Sequence, residues 1–526
     1  MRQSATIEKF QDPVIAFLGD KASYRPVPER VERLETHGAF VFLAGDEAFK
    51  IKRAVRFSYM DFSTLELRHR ACMHELEINR PHAPELYLNV VPITRDADGH
   101  LAIGGAGEAI EWALHMRRFS QSDLLSAIVQ QGNLEASLCQ KVADAIESYH
   151  RMALAVPGTN SPNELAKVAW DSAAALLDTP PFAGSSDIVA IRKQTLDDID
   201  RLAPLLMKRC HDGYVRRAHG DLHLENIVLW RGEPVLFDAI EFSDQIATID
   251  TLYDLAFLLM DLDQRGQQAS ANGILNRYLW TSQDVGQLEG LAAMPLFLTL
   301  RACVRAMVMA QRAEQERGNS REAYLARARA YIEAAARYGT PVKPCLIVVG
   351  GLSGTGKSTL AAALAPGVGP ASGAVHLRSD LERKAKFNCA ATDRLPLDAY
   401  SVETGARVYA VLMAKAEVAL RAGHSVIVDA VFSTPDERAA IEGLAHRLKV
   451  HFHGLWLKAP PSILRDRIAR RRNDASDASV EIVDKQLAYD TGPITWPQLS
   501  ASGDREATLQ AAISILSSFA SPTINH

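Results

Sequence analysis

The sequence predicts a multidomain protein in which an α+β part is followed by an α/β part built on a parallel sheet. Three observations carry this expectation. The chain has 526 residues, more than one hydrophobic core organises, so about two to four domains are expected. After residue 345, short apolar runs at 345–349, 425–429 and 451–456 alternate with helical segments, the pattern a parallel sheet requires. Before that point, strand-like runs fill the first hundred-odd residues and helical periodicity dominates from about 121 to 335.

Taken in order, residues 1 to about 25 read as an amphipathic helical lead-in, with Ile7, Phe10, Val14, Ile15 and Leu18 at helical spacing. Ala39–Leu43 and Ala48–Lys52 form a hairpin signature around Gly45, Asp46 and Glu47. Leu65 to Ile78 is a helix carrying Glu75 and Glu77, and Leu86–Ile93 and Ala109–Met116 are further strands. Segments such as Leu124–Gln130, Ala136–Ala155 and Glu322–Tyr338 are helical, interrupted from Arg217 to Asp244 by loop, short strand, turn, short strand and loop. Gly339 to Pro344, with Pro341 and Pro344, reads as the linker that ends the helical part.

Composition excludes several classes. Hydrophobic residues make up 47% and charged residues 23%, as in ordinary globular chains, and the net charge of −5 argues against a general nucleic-acid or anionic-membrane binder. Six scattered cysteines without a C-x-x-C pair fit a reducing compartment, neither a disulfide framework nor a zinc site. The first twenty residues lack a signal-peptide core. The apolar stretch Leu291 to Ala310 is interrupted by Pro295, Arg301 and Arg305, and reads as a buried helix pair rather than a membrane span. A cytoplasmic protein is expected.

The stretch CLIVVGGLSGTGKST, Cys345 to Thr359, joins an apolar strand to a helix through a glycine-rich turn. Gly351, Gly356, Lys357 and Ser358 match the phosphate-binding loop pattern, with Ser353, Gly354, Thr355 and Thr359 completing the cradle. Glycines let backbone N–H groups curl around phosphate oxygens, and the following helix presents its positive end. Lys357 reaches the outer phosphates and Ser358 holds Mg²⁺. A nucleotide site follows.

A second constellation lies in the irregular island. His219, Asp221 and Asn226 match an H-x-D-x-x-x-x-N catalytic loop, and Asp238 ends the next strand in V-L-F-D. A carboxylate beside an acceptor hydroxyl takes its proton, while an amide five residues on and a carboxylate from the neighbouring strand hold the metal. Asp221 is therefore the candidate base, Asn226 and Asp238 the candidate metal ligands, and His219 a brace. Asp250 and Asp254 read as caps or braces of the following helix. A loop of capping polar residues, or a kinase fold without activity, is the competing reading. Retention of all three acidic and amide positions weighs against both.

With HGDLHLEN and Asp238 in place, residues 1 to about 338 resemble the aminoglycoside-phosphotransferase-like family. That resemblance implies a protein-kinase-like bilobal domain, with a small lobe at about 25–118 and a helical lobe at about 119–338. It further implies a strand lysine for the nucleotide phosphates in AFKIK, where Lys50 is preferred and Lys52 shares its face. The helical partner would be Glu75, with Glu77 as second choice. Leu43 to Asp46 is a plain turn where the family carries a glycine-rich nucleotide loop.

Residues 345 to about 520 resemble the small P-loop kinases of the gluconate kinase, polynucleotide kinase and zeta toxin group. Asp380 and Arg383 follow the phosphate loop where that group places an acceptor-binding carboxylate and arginine. Asp429 ends a buried strand at the second metal-binding position. Arg465, Arg467, Arg470, Arg471 and Arg472 fall where a lid crosses the phosphates, and arginines there would neutralise charge on the transferred group. For Asp380 the competing reading is a helix N-cap, for Asp429 a plain strand-end acid, and for the arginines a solvated helix face. The resemblances together imply a bifunctional kinase, each module using ATP and Mg²⁺ to phosphorylate a small-molecule hydroxyl. The alternatives are a nucleic-acid end kinase in the second module, against which net charge and sparse aromatics weigh, and a regulatory ATPase. Such ATPases follow the strand-end acid with a glutamate, whereas Ala430 follows Asp429 here.

Overall fold

The wholly apolar run AFVFLA and the mixed run EAFKIK fold into the hairpin of β2 (Ala39–Ala44) and β3 (Glu47–Lys52), turned at Gly45 with φ +61°. They lie in a six-stranded antiparallel sheet of order β1-β2-β3-β8-β6-β7, where β1 is Val31–Glu35, β6 Tyr87–Arg95, β7 Leu101–Ile103 and β8 Glu108–Arg117. A small hairpin, β4 (Arg56–Phe57) with β5 (Met60–Asp61), stands beside it. The strand at one edge, VERLE, is partly to fully exposed and mostly charged. It carries no apolar alternation, which is why periodicity passes over it. The helix Leu65–Asn79 starts at Thr64, whose side chain accepts from Leu67 N at 3.2 Å, and carries Glu75 to a fully buried position.

The chain is described here from a computed structural model over residues 9–36, 38–57, 60–159, 161–470 and 476–519. Ile7 of the expected lead-in, and Arg471 and Arg472 of the arginine run, lie outside the described residues. The lead-in itself is the helix Asp12–Gly19 flanked by short 3-10 turns.

Two compact units emerge, Met1–Thr159 with Gly213–Leu258, and Asn160–Asp212 with Leu259–His526. The first unit holds the six-stranded sheet and the irregular island. In the island, β9 (Val215–Arg217) pairs with β12 (Thr248–Asp250), and β10 (Ile227–Trp230) with β11 (Glu233–Leu236), both antiparallel.

The second unit contains a parallel five-stranded sheet of order β14-β15-β13-β16-β17, with β13 Cys345–Gly351, β14 Val375–Arg378, β15 Val426–Asp429, β16 His451–Lys458 and β17 Gln498–Ser500. Its core joins Ile347 and Val349 to Leu360, Leu364, Ile427 and Leu455. The expected helix pair over Leu291 to Ala310 is instead a 3-10 turn, Leu291–Ala293, feeding one helix, Met294–Gln315. Pro295 sits in that helix's first turn, where a missing N–H costs nothing, so it starts the helix and does not break it. The stretch Val285–Gln315 is long and apolar enough to cross a membrane, but 61% of its apolar window is buried against the unit.

The units do not divide at the linker. The helices Ser161–Asp178, Ser186–His211, Gln268–Ser282, Met294–Gln315 and Gly318–Gly339 belong with the parallel sheet. Direct bonds explain the grouping, for Trp280 Nε1 donates to Leu381 O at 3.3 Å and Asn272 Nδ2 to Ser372 O at 2.6 Å.

Candidate functional sites

The first site is built where the antiparallel sheet, the Leu65–Asn79 helix and the irregular island meet. Lys50 Nζ lies 2.8 Å from Glu75 Oε1 and 2.5 Å from Asp238 Oδ1. Lys52 Nζ takes the other oxygen of Glu75 at 2.5 Å and pairs with Glu241. The fully buried Glu75 therefore serves both lysines, but only Lys50 reaches Asp238 among the two. Burial opposes the charge on Lys50, yet Asp238, Glu75 and Glu241 outweigh it and hold its pKa well above the ordinary lysine value. Among the described residues, Glu77 forms no ion pair with either lysine.

Asp238 has φ +62°, in the left-handed region, and its N–H donates to Tyr87 Oη at 2.9 Å. Asn226 and Asp238 meet because Ile227 pairs with Leu236 across the β10–β11 hairpin and Phe237 N donates to Asn226 O at 3.1 Å. The Asn226 amide Nδ2 donates to Asp221 O at 2.9 Å and to Asp221 Oδ2 at 3.1 Å, leaving its amide oxygen for a cation. His223 Nε2 stands 3.3 Å from Asp221 Oδ2.

Asp254 clamps this loop. Its two oxygens accept from His219 N and Gly220 N, each at 3.0 Å, and one lies 3.2 Å from His150 Nε2. Asp250 caps the helix through Leu252 N at 2.8 Å. His219 is fully buried, its Nε2 2.9 Å from Phe237 O, and burial pushes its pKa down despite Asp254 and Asp221.

The second site surrounds the phosphate loop at the C-terminal end of β13. Gly351, Gly354 and Gly356 adopt φ of +135°, +84° and +90°. A Cβ on Gly351 would stand 2.5 Å from Leu457 O, so that position requires glycine for space as well as for conformation. The Ser353 N–H is taken by Gln486 Oε1 at 2.7 Å, and Lys357 Nζ donates to Leu352 O at 3.2 Å.

A small pocket of about 40 Å³ is lined by Ser353, Gly354, Gly356, Lys357, Ser358, Thr359, Ser379 and Asp380 among others, so loop and carboxylate share one space. It abuts a cleft of about 750 Å³ that adds Thr355, Arg467, Arg470 and Arg505. Arg467 Nη1 donates to Gly354 O at 3.5 Å, and Arg470 Nε lies 2.9 Å from Asp466 on an exposed face.

Asp380 is not an N-cap. The helix Ser379–Lys386 begins after Arg378, with no side-chain capping bond, and Asp380 lies inside its first turn. Arg383 is absent from the described pocket lining; its Nη1 donates to Ala399 O at 2.6 Å and its guanidinium lies 5.1 Å from the Tyr400 ring centroid.

Asp429 is buried at the end of β15, with His376 Nε2 at 3.6 Å and Arg378 Nε at 3.9 Å. Burial would raise its pKa, but His376, Lys357 and Arg378 bring it down to about 2. The first centre thus presents carboxylate and amide oxygens and the second carboxylate and hydroxyl oxygens, hard-oxygen donors that suit Mg²⁺.

Sequence reasoning passed over several of these groups. Glu241 follows Asp238 by three residues, a spacing that could have singled it out. Tyr87, Gln486 and His376 have no local signal, since each reaches its site only through the fold.

Comparison with known proteins places these sites in context. Residues 70–291 match the model described as the phosphotransferase enzyme family, and residues 346–493 match an AAA domain model. Uncharacterized proteins of Mycobacterium tuberculosis and Mycobacterium bovis are 30% identical over 496 residues, 91% of this chain and 94% of theirs. Among solved structures, a choline kinase from Cryptosporidium parvum is 13% identical over 61% of this chain and 95% of its own, with a TM-score of 0.39. A gluconokinase from Sinorhizobium meliloti is 19% identical over 34% of this chain and 94% of its own, with a TM-score of 0.24.

Proposed function

The chain belongs to the two-module family of these mycobacterial relatives, a phosphotransferase-enzyme domain followed by a P-loop domain of the kinase type, and from that premise we propose a bifunctional kinase whose modules each transfer the γ-phosphoryl group of ATP to a small-molecule hydroxyl. The observation that carries the reading is a candidate base carboxylate in each module, held by the catalytic-loop amide in the first and sharing a pocket with the phosphate-loop lysine in the second. Asp221 Oδ2 accepts from Asn226 Nδ2, and Asp380 lines one pocket with Lys357 and Ser358.

In the first module Lys50 would neutralise phosphate oxygens, and Glu75 fixes its ammonium against Asp238. Asp221 would orient the acceptor hydroxyl and take its proton, with His223 and Asn226 holding the carboxylate in place. Asn226 and Asp238 would hold Mg²⁺ there, and Ser358 and Asp429 in the second module. The ion would supply charge neutralisation between the phosphates.

In the second module the loop N–H groups and Lys357 would cradle the nucleotide. Asp380 would receive the acceptor proton, and Arg467 and Arg470 would face the departing charge from the cleft wall. Ala430, fully buried after Asp429, offers no group to activate water, which favours transfer over hydrolysis. The expected setting is cytoplasmic, where ATP is abundant, without nucleic-acid or membrane partners.

The test uses labelled ATP and a polar-metabolite extract with the full chain and two variants. Asp221→Asn and Asp380→Asn should each remove a different set of labelled products, by about 10²–10⁴-fold. Retention of every product in both variants would overturn the reading.

A further inference from the structure

β14 is an outer strand of the parallel sheet, bonded to β15 on one side only. An outer strand leaves unpaired N–H and C=O groups along its free edge. Here that edge is closed by side chains from the helix Gln268–Ser282. Asn272 Nδ2 donates to Ser372 O at 2.6 Å and Ala374 O at 3.0 Å. Asn276 accepts from His376 N at 2.7 Å and donates to Ala374 O at 3.1 Å. The two asparagines are one helical turn apart, so they share a face and replace a sixth strand. Gly373 gives them room, since a Cβ there would lie 2.7 Å from Asn272 Nδ2.

Pinning the edge decides where the strand's side chains point. Val375 and Leu377 are buried on one face, which turns His376 and Arg378 to the other. The His376 side chain is 8% exposed, its Nε2 lies 3.6 Å from Asp429 Oδ2, and that nitrogen has no hydrogen-bond partner among the described residues. A buried polar atom without a partner calls for a cause. The separation exceeds a hydrogen bond by a few tenths of an ångström, a gap that a small rotation of the carboxylate closes.

We propose that His376 is a positioning residue for Asp429, aimed by Asn276, and that the helix Gln268–Ser282 thereby helps set how the P-loop site holds Mg-nucleotide. The proposal rests on reading that site as a Mg-nucleotide site. His376 touches neither nucleotide nor acceptor; it orients the carboxylate that would hold the ion. Partners of this kind, one step behind a metal ligand, typically change metal affinity by about 10–100-fold when removed.

The experiment reads hydrogen exchange of the phosphate-loop amides 351–360 in the full chain, which separates this site from the one in the first module. The probe is AMP-PNP, titrated with magnesium and with EDTA. In the unaltered chain, magnesium should lower the concentration for half protection. His376→Phe should remove about tenfold of that gain and leave the EDTA midpoint in place, and His376→Gln, which keeps an N–H donor, should restore most of it. Asn276→Ala leaves the strand's core intact and should lose part of the same gain, with no further loss when combined with His376→Phe. The proposal is overturned if either His376→Phe or Asn276→Ala shifts the magnesium and EDTA midpoints alike, or leaves the magnesium gain whole. Absence of any protection at 351–360 in the unaltered chain overturns the nucleotide reading itself, and the proposal with it.

Discussion

Single buried ionisable residues tie both modules to pH and to charge balance. Glu75 holds two lysines with one carboxylate, an arrangement that repays its desolvation only because both oxygens are used. His424 makes a simpler case. It is 1% exposed, burial pushes its pKa from 6.5 down to about 4, and the nearby backbones of Leu291 and Gly373 oppose this only in part. Its folded-state pKa lies below the unfolded one, so the folded chain prefers the neutral ring. That contribution is fully present above pH 6.5 and is lost as pH falls from 6.5 towards 4. At about 1.4 kcal/mol per unit it amounts to roughly 3 kcal/mol. Urea unfolding at a series of pH values should show that decline, and His424→Asn should flatten it. An equal slope in both proteins would place the acid sensitivity elsewhere. Asp429 acts in a separate window, its stabilisation being lost only as pH falls from 3.8 to about 2.

At the scale of elements, the phosphate loop and the β10–β11 hairpin do the placing. In the hairpin, cross-strand pairing forces Asn226 and Asp238 to the same end. In the loop, three glycines take backbone conformations that side chains resist, but they are not equivalent. A Cβ on Gly356 would meet nothing within 4 Å among the described residues, whereas one on Gly351 would face Leu457 O at 2.5 Å and Thr355 Oγ1 at 3.2 Å. Gly356→Ala should therefore cost only the left-handed strain of about 1–2 kcal/mol. Gly351→Ala adds a collision with the backbone of β16 and should cost more, with β13 displaced from its neighbour. Denaturant midpoints of the two variants check the order, and equal losses would mean that the loop relaxes freely at Gly351.

For the whole molecule, the notable fact is where the compact units divide. The proline-bounded linker suggests two halves, 1–338 and 342–526, that fold independently, yet helices from before the linker group with the parallel sheet after it. Asn272, Asn276 and Trp280 bond directly to 372–376 and Leu381. A fragment of residues 342–526 should therefore leave the β14 edge open, with unsatisfied backbone groups. We expect it to unfold at lower urea than the same segment does in the full chain, followed by hydrogen exchange of the β13–β15 amides. Equal stability would restore the linker as the boundary.

Motifs whose parts lie within about twenty residues were legible without a structure. The phosphate loop, the HGDLHLEN loop and the strands and helices around them depend on local steric and hydrogen-bonding demands, which leave a mark at fixed spacing. The strands expected at 39–43, 48–52, 86–93 and 109–116 appear at Ala39–Ala44, Glu47–Lys52, Tyr87–Arg95 and Glu108–Arg117 for the same reason. The two lysines on one strand face are different, because alternation cannot rank them. Only packing against Asp238 and Glu241, nearly two hundred residues away, separates Lys50 from Lys52. Likewise, nothing in A-N-G-I-L-N announces a strand edge, and nothing in V-H-L-R announces a partner for Asp429. Those pairings join residues about 100 and 53 positions apart, and sequence spacing holds no record of contacts that the chain makes only after it has folded.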